Sequence, residues 1–301
     1  MRKSAQWFLS ILALGILGCV LAVLLLMKLA SASRGGTELV AEGSGEKVAL
    51  VELTGVIVSS EEVVRQMKER REDDAIRAIV LRVESPGGGV AASQEMYEEV
   101  RKTAEGGTPV VVSMGSIAAS GGYYVSCGAT RIVANPGTLT GSIGVISEFL
   151  QLEEAMSRLG IGVKTVKSGK LKDAGSFTRR MSSEDEEYFR TLMQDVHQQF
   201  TEVVERERGL TPERVRTLAD GRVFTGREAL RVGLVDTLGT LQDAVAIAAQ
   251  LAGIEGTPSL VRERRRRSFW DSLLGEAGRA MGAIQREWMD RPVLSYRYAG
   301  P

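Results

Sequence analysis

Two apolar runs of strand length, each leading straight into a glycine-rich turn, constrain this chain more than anything else in it. Ile76 to Val83 is apolar except for Arg77 and Arg82, and it runs into Glu84-Ser85-Pro86-Gly87-Gly88-Gly89. Pro109-Val110-Val111-Val112-Ser113-Met114 leads on to Ala118-Ala119-Ser120-Gly121-Gly122-Tyr123-Tyr124. A helical pattern follows each turn, around Ala91 to Thr103 and from Ser120 onward. Val48 to Leu53 supplies an earlier strand, and Ser59-Ser60-Glu61-Glu62 opens a helix with the apolar stripe Val63, Val64 and Met67. Strand and helix in alternation imply an α/β fold with a mostly parallel sheet and flanking helices. Ligands of such sheets sit at the carboxyl ends of the strands, where both glycine turns lie.

The remaining elements are shorter. Arg131 to Ala134 and Val163 to Val166 read as strands, Leu152 to Leu159 as a helix, and Pro136 to Val145 as an irregular glycine-punctuated loop. Ser182-Ser183-Glu184-Asp185-Glu186 caps a long helix to about Arg208, with Phe189, Leu192, Val196, Phe200, Val203 and Val204 as its stripe. Pro212 begins another helix after Thr211. Short helices follow near Arg227 to Val232 and Leu241 to Ala252.

The two ends differ from the middle. Met1-Arg2-Lys3 precedes an apolar run from Trp7 to Met27, long enough to cross a hydrocarbon core of about 30 Å. The positive-inside rule places Arg2 and Lys3 in the cytoplasm and the bulk of the chain outside it. Ala30-Ser31-Ala32 has the look of a signal-peptidase site and Ile16-Leu17-Gly18-Cys19 of a lipoprotein box, but the apolar run outlasts both, which favours an uncleaved anchor. The expected organisation is therefore a cytoplasmic stub and transmembrane helix over 1–30, a flexible linker over 31–47, a globular domain over 48–255 and a basic amphipathic tail over 256–301. In the tail, the arginine-rich Arg262 to Arg267 precedes a segment carrying Phe269, Trp270, Leu273, Leu274, Ile284 and Trp288, suited to an anionic membrane surface or to a neighbouring subunit. Pro292 to Pro301 reads as a loose end.

Charge and rare residues narrow the chemistry. With 38 basic and 38 acidic side chains, no net field favours a nucleic-acid partner. Two cysteines, Cys19 and Cys127, make no disulfide framework, and no metal-ligand spacing or cofactor motif is present. Ser120, at a strand-to-helix turn and followed by two glycines, has the setting of an exposed nucleophile, with backbone N–H groups beside it for an oxyanion. The competing reading is a tight turn of small residues. Serine needs a base. His197 is the only histidine, and it sits on the flank of the long helix as a surface or subunit-contact residue would. The other base used with serine is a lysine made neutral by burial. Lys164, Lys167, Lys170 and Lys172 all follow the Val163 run, and composition does not choose among them. Gly121 and a glycine of the Gly87-Gly88-Gly89 turn are the candidate oxyanion donors, if adjacent strands bring the turns together. The Ser85 turn lacks the Gly-Lys-Ser/Thr of a phosphate loop, and Ala118 fills the first glycine of the hydrolase elbow.

Taken in order, Ser85-Pro86-Gly87-Gly88-Gly89, Ala118 to Tyr124, Leu139-Thr140-Gly141-Ser142-Ile143-Gly144-Val145, Lys167-Ser168-Gly169-Lys170-Leu171-Lys172-Asp173 and Ala219-Asp220-Gly221-Arg222-Val223 resemble the bacterial signal peptide peptidase A family in its short, single-anchor form. The match runs from about Val48 to Ala252. The resemblance implies a Clp protease/crotonase-like fold and a serine endopeptidase with a Ser-Lys dyad. It places the nucleophile at Ser120, the base at Lys172, the lysine-orienting serine at Ser142, and the oxyanion donors at Gly87 and Gly121. It further implies no cofactor, a homo-oligomer in which the dyad is shared between subunits, and remnant signal peptides as substrates at the bacterial cytoplasmic membrane, with the catalytic domain outside the cytoplasm. Two alternatives remain: a catalytically silent membrane scaffold of the same fold, and an acyl-CoA enzyme of the crotonase type, which the anchor disfavours.

Overall fold

A computed structural model describes residues 37–265 and 295–297. The strands are β1 (Thr37–Glu42), β2 (Lys47–Thr54), β3 (Ile76–Ser85), β4 (Gly87–Gly89), β5 (Val110–Ala119), β6 (Arg131–Ala134), β7 (Leu139–Gly141), β8 (Val223–Thr225), β9 (Thr237–Leu238), β10 (Ser259–Arg265) and β11 (Ser295–Arg297). The helices are α1 (Glu61–Glu72), α2 (Val90–Glu105), α3 (Gly121–Ser126), α4 (Glu153–Arg158), α5 (Ser183–Arg208), α6 (Pro212–Leu218), α7 (Gly226–Val232) and α8 (Leu241–Leu251), with a 3-10 turn at Lys170–Asp173. Residues 41–262 and 295–297 belong to one compact unit. The described parts of the other unit, 37–40 and 263–265, are the outer ends of β1 and β10.

In the larger unit the sheet order is β10-β2-β3-β5-β6-β9, and every one of these neighbouring pairs is parallel. β7 extends β5 in parallel and pairs antiparallel with β8. The α/β fold with a mostly parallel sheet is the one the alternating pattern predicts. The central strands are apolar on both faces because both are covered. Ala49, Val51, Ile79, Leu81, Val110 and Val112 enter a core shared with Met67, Met96, Tyr97, Tyr123 and Phe200. Their alternates Val48, Leu50, Ala78, Val80, Val111 and Val133 pack against Ala244, Ala248 and Ala249 of α8. Small residues on α8 let it lie close to the sheet.

Several local predictions meet a specific outcome. Ser182 caps α5 through a reciprocal box with Asp185, and Pro212 stands at the start of α6 behind the capping hydroxyl of Thr211. Ser60 begins α1 without capping it; its hydroxyl turns instead to Glu95 on α2. Val163 to Val166 is not a strand: none of the described strands pairs with it, and Val163 and Val166 are exposed. Thr37–Glu42 is a strand where the sequence reads as an open linker, and β10 and β11 fall in the region read as tail. The apolar Trp7 to Met27 run and the aromatic segment after Arg265 lie outside the described residues. Among the described residues no helix is long and apolar enough to cross a membrane.

Candidate active site

Parallel pairing of β3 with β5 places Ser85 opposite Ala118, so both glycine turns leave the sheet at the same end. Gly122 then packs directly on the Ser85 turn: a Cβ there would lie 2.9 Å from the Ser85 carbonyl oxygen. The meeting of the two turns, conditional in the sequence, is realised because position 122 has no side chain.

Ser120 ends β5 and begins α3 with φ 54° and ψ −115°, a region that L-residues avoid and that strains the backbone. Its N–H donates to the Gly141 carbonyl at 2.7 Å, and its carbonyl accepts from Tyr124 N–H at 2.8 Å. The backbone is thus held at both ends while the side chain is not: Ser120 Oγ is buried and has no hydrogen-bond partner. Gly121 opens α3, so its N–H has no acceptor within the helix. The helix itself is fixed from below, where Tyr123 hydroxyl donates to the Leu234 carbonyl at 2.9 Å and Tyr124 stacks edge-on with Tyr97 and Phe200.

Ser142 comes alongside because β7 pairs with β5, setting Gly141 opposite Ala119. Ser142 is buried, also has positive φ at 50°, and its N–H donates to the Arg222 carbonyl at 2.8 Å. Thr140 and Thr138 hydroxyls tie this loop to the Ala118 and Gly115 carbonyls of β5.

The glycine strand gives a more specific result than its sequence. Gly87 adopts φ 95°, and its N–H donates to Ser85 Oγ at 3.1 Å, while that hydroxyl donates to the Gly55 carbonyl. The N–H expected to serve an oxyanion is therefore committed within the turn. Gly88 differs. It bridges Ile57 in parallel, with Ile57 N–H donating to Gly87 oxygen at 2.9 Å and Gly89 N–H to Ile57 oxygen at 2.7 Å. In such a bridge Gly88's own N–H and C=O point to the opposite side. On that side runs β11, antiparallel, with Tyr296 opposite Gly88 and Arg297 opposite Gly87. The open edge of β4 thus carries an extended segment of the chain itself.

The four candidate lysines divide in two: Lys164 and Lys172 are exposed with no ion pair among the described residues, while Lys167 and Lys170 are paired. Lys167 Nζ contacts Asp173 Oδ1 at 2.6 Å, and Lys170 pairs with Glu184. Lys172 sits in the 3-10 turn, exposed, with no ion pair among the described residues. Ser120 and Lys172 do not hydrogen-bond to each other within the chain. His197 is half-buried on α5 and lines a cleft with Gly144, Val145 and Asp220; its Nε2 is buried without a partner and does not contact Ser120. Sequence reasoning missed Ser85 and Glu84. The first sets the Gly87 turn; the second accepts Ser116 and Ile117 N–H groups where β5 departs from regular register. Serine two residues before a glycine, across proline, is the only local signal for the former. Among the described residues no cluster of metal-ligating side chains occurs.

Comparison with known proteins adds three relations. Residues 102–255 match the model of peptidase family S49. A Synechocystis sp. protein named as a candidate protease is 42% identical over 211 residues, 70% of this chain and 76% of that protein. A protein of Enterococcus faecium named as a candidate signal peptide peptidase SppA is 35% identical over 215 residues, 67% of this chain and 62% of that protein. Among solved structures, a ClpP1 mutant from Listeria monocytogenes aligns with a TM-score of 0.45 at 16% identity, over 65% of this chain and 93% of that one.

Proposed function

The chain belongs to peptidase family S49, and on that premise we propose that it is a membrane-anchored serine endopeptidase in which Lys172 of one subunit activates Ser120 of another. The observation that carries the reading is Ser120 itself, a strained residue whose buried hydroxyl has no partner. A hydroxyl left unpaired in a held backbone is poised for an incoming base and an incoming carbonyl.

In this mechanism Lys172 takes the Ser120 proton, Oγ attacks the peptide carbonyl, and the N–H groups of Gly121 and the glycine strand hold the oxyanion. Gly88 is the glycine whose N–H faces the β11 side and serves once β11 gives way; Gly87 serves only if Ser85 releases its N–H. Ser142, beside Ser120, orients the lysine. Protonated Lys172 then gives its proton to the leaving amine, and water resolves the acyl-enzyme. The β4 edge supports a peptide substrate, because an extended chain adds to it by backbone hydrogen bonds.

Sharing of the dyad between subunits is supported by what one chain leaves incomplete. A lysine serves as base only when burial favours its neutral form, and Lys172 is exposed. In the same stretch of chain Leu159, Ile161, Val163, Val166, Leu171 and Phe177 also stand exposed, apolar side chains that a second copy would cover. The Trp7 to Met27 run supports a single-pass anchor in the cytoplasmic membrane, with the peptidase domain outside the cytoplasm and remnant signal peptides as substrates.

The test is complementation. Ser120→Ala and Lys172→Ala proteins are refolded separately and together, then assayed on a quenched peptide. Recovery of activity only in the mixture supports a dyad across subunits. Mixed oligomers without activity reject the sharing, and activity in either single variant rejects the residue assignment.

A further inference from the structure

Between Gly144 and Glu184 no side chain is buried. A segment of this kind has no core to fix it, yet it carries the lysine on which the proposed chemistry depends. The first buried side chain after it is an acid, Asp185, in the opening turn of α5.

The lysine turn is tied to that acid through charged groups. Arg179 donates to Asp185 Oδ2 at 2.5 Å and Oδ1 at 3.1 Å, and to Asp173 Oδ1 at 3.0 Å. Asp173 also accepts from Lys167 at 2.6 Å. The same two cations grip the backbone on either side of Lys172. Lys167 Nζ donates to the Lys170 carbonyl at 2.8 Å, and Arg179 to the Asp173 carbonyl at 3.2 Å. The Phe149 and Phe189 rings, 4.3 Å apart, close over Gly175 and hold the far side of the turn. Exposed ion pairs are worth little, but here the Asp173 and Asp185 side chains are only 13% and 3% exposed.

We propose that Asp173 and Arg179 are positioning residues with two tasks: they fix the Lys172 turn to the start of α5, and they keep the adjacent carboxylate from capturing the Lys172 ammonium. The second task follows from occupancy. Asp173 is the carboxylate next to Lys172 in the chain, and Lys167 and Arg179 already hold it. Two further charged groups beside the turn are paired, Lys170 with Glu184 and Asp185 with Arg179. Among the described residues Lys172 has no counter-ion. A lysine held by a carboxylate keeps its proton and is no base.

The inference rests on Lys172 as the base, and the experiment separates the two. Full-length Arg179→Gln, Arg179→Lys, Asp173→Asn, the Arg179→Gln/Asp173→Asn pair and Lys172→Ala are compared for kcat, KM and the pH profile of kcat/KM on a quenched peptide. Arg179→Gln is expected to lower kcat about 10- to 100-fold with KM within about twofold, as displacement of a catalytic group does. It is also expected to move the rising limb of the profile to higher pH, because Asp173, then held by Lys167 alone, has an oxygen open to Lys172. Asp173→Asn lowers kcat without that movement, and adding it to Arg179→Gln removes the movement. Arg179→Lys restores most of kcat. Wild-type kcat in Arg179→Gln, or an unmoved limb, overturns the proposal while inactive Lys172→Ala leaves the dyad standing. Active Lys172→Ala overturns the dyad. If Arg179→Gln does not fold, Asp173→Asn decides: unchanged kcat there is equally fatal.

Discussion

Ser120 carries two unfavourable features, and their removal should stabilise the protein. Its φ of 54° with ψ of −115° costs about 1–3 kcal/mol for a residue with a Cβ. Its buried, unpartnered Oγ costs a further ~1–3 kcal/mol in lost hydration. Ser120→Ala keeps the strain and deletes the hydroxyl, so a gain of about 1–2 kcal/mol is expected. Ser120→Gly also relieves the strain but loses roughly 0.5–1 kcal/mol to the flexibility of the unfolded chain, for a further net gain of about 0–2.5 kcal/mol, centred on about 1. For a domain of this size each kcal/mol moves Tm by about 2–4 °C. Calorimetry at fixed protein concentration should therefore rank the variants wild type, then Ala, then Gly in rising Tm, with both variants inactive. A Ser120→Ala protein less stable than wild type by more than about 1 kcal/mol would mean that the hydroxyl has a native partner. A Gly variant below the Ala variant would mean that the turn is unstrained.

Gly88→Ala should be damaging, because its Cβ would lie 2.1 Å from Ile57 oxygen, a backbone atom that cannot swing away. Loss of both bridge hydrogen bonds and the added strain should lower Tm by on the order of 10 °C and abolish peptidase activity, whereas Gly137→Ala, with open space around it, should be neutral; calorimetry and the quenched-peptide assay check both. Acidification should loosen the Lys172 turn before the core. Arg179 and then Lys167 hold Asp173 down to about 2, and Arg179 and Ser182 hold Asp185 lower still. Carboxylates depressed in the folded state stabilise it above their unfolded value of about 4 and lose that contribution as pH falls through the folded value. Hydrogen exchange over residues 165–181 should accordingly accelerate between about pH 4 and 2 relative to α2, and unchanged exchange would contradict the network. Ending the chain at Asp290, which removes β11, should raise kcat/KM for added peptides; an unchanged value would mean that β11 does not compete.

The middle of the fold is legible in the sequence because its signals are local. Strand runs such as Val110–Val112 need only a pattern, and Ser182 with Asp185 or Thr211 with Pro212 announce helix starts within four residues. Ser120 is legible for the same reason, as a serine between a strand and two glycines. What escapes is settled by partners distant in the chain. Val163 to Val166 has a strand's composition but no strand to pair with. Ser295–Arg297 has no apolar alternation and is a strand only because β4 offers an edge. The choice among four lysines depends on which carboxylates reach them, and the commitment of Gly87 N–H depends on the rotation of the Ser85 hydroxyl. Neither is encoded by spacing.

The β4 edge and its own covering strand have a quantitative consequence. A segment joined covalently to the groove it fills acts at an effective concentration on the order of millimolar, whatever the concentration of the protein. On the proposed use of the β4 edge by peptides, an added peptide meets a competitor that dilution cannot remove. Its apparent affinity is divided by one plus the ratio of that effective concentration to the strand's own dissociation constant. With only three residues paired, that ratio is small, so an extended substrate with longer pairing displaces the strand while short, weakly pairing segments do not. Length of extended backbone thus becomes a threshold for entry, set by geometry before any side chain is read.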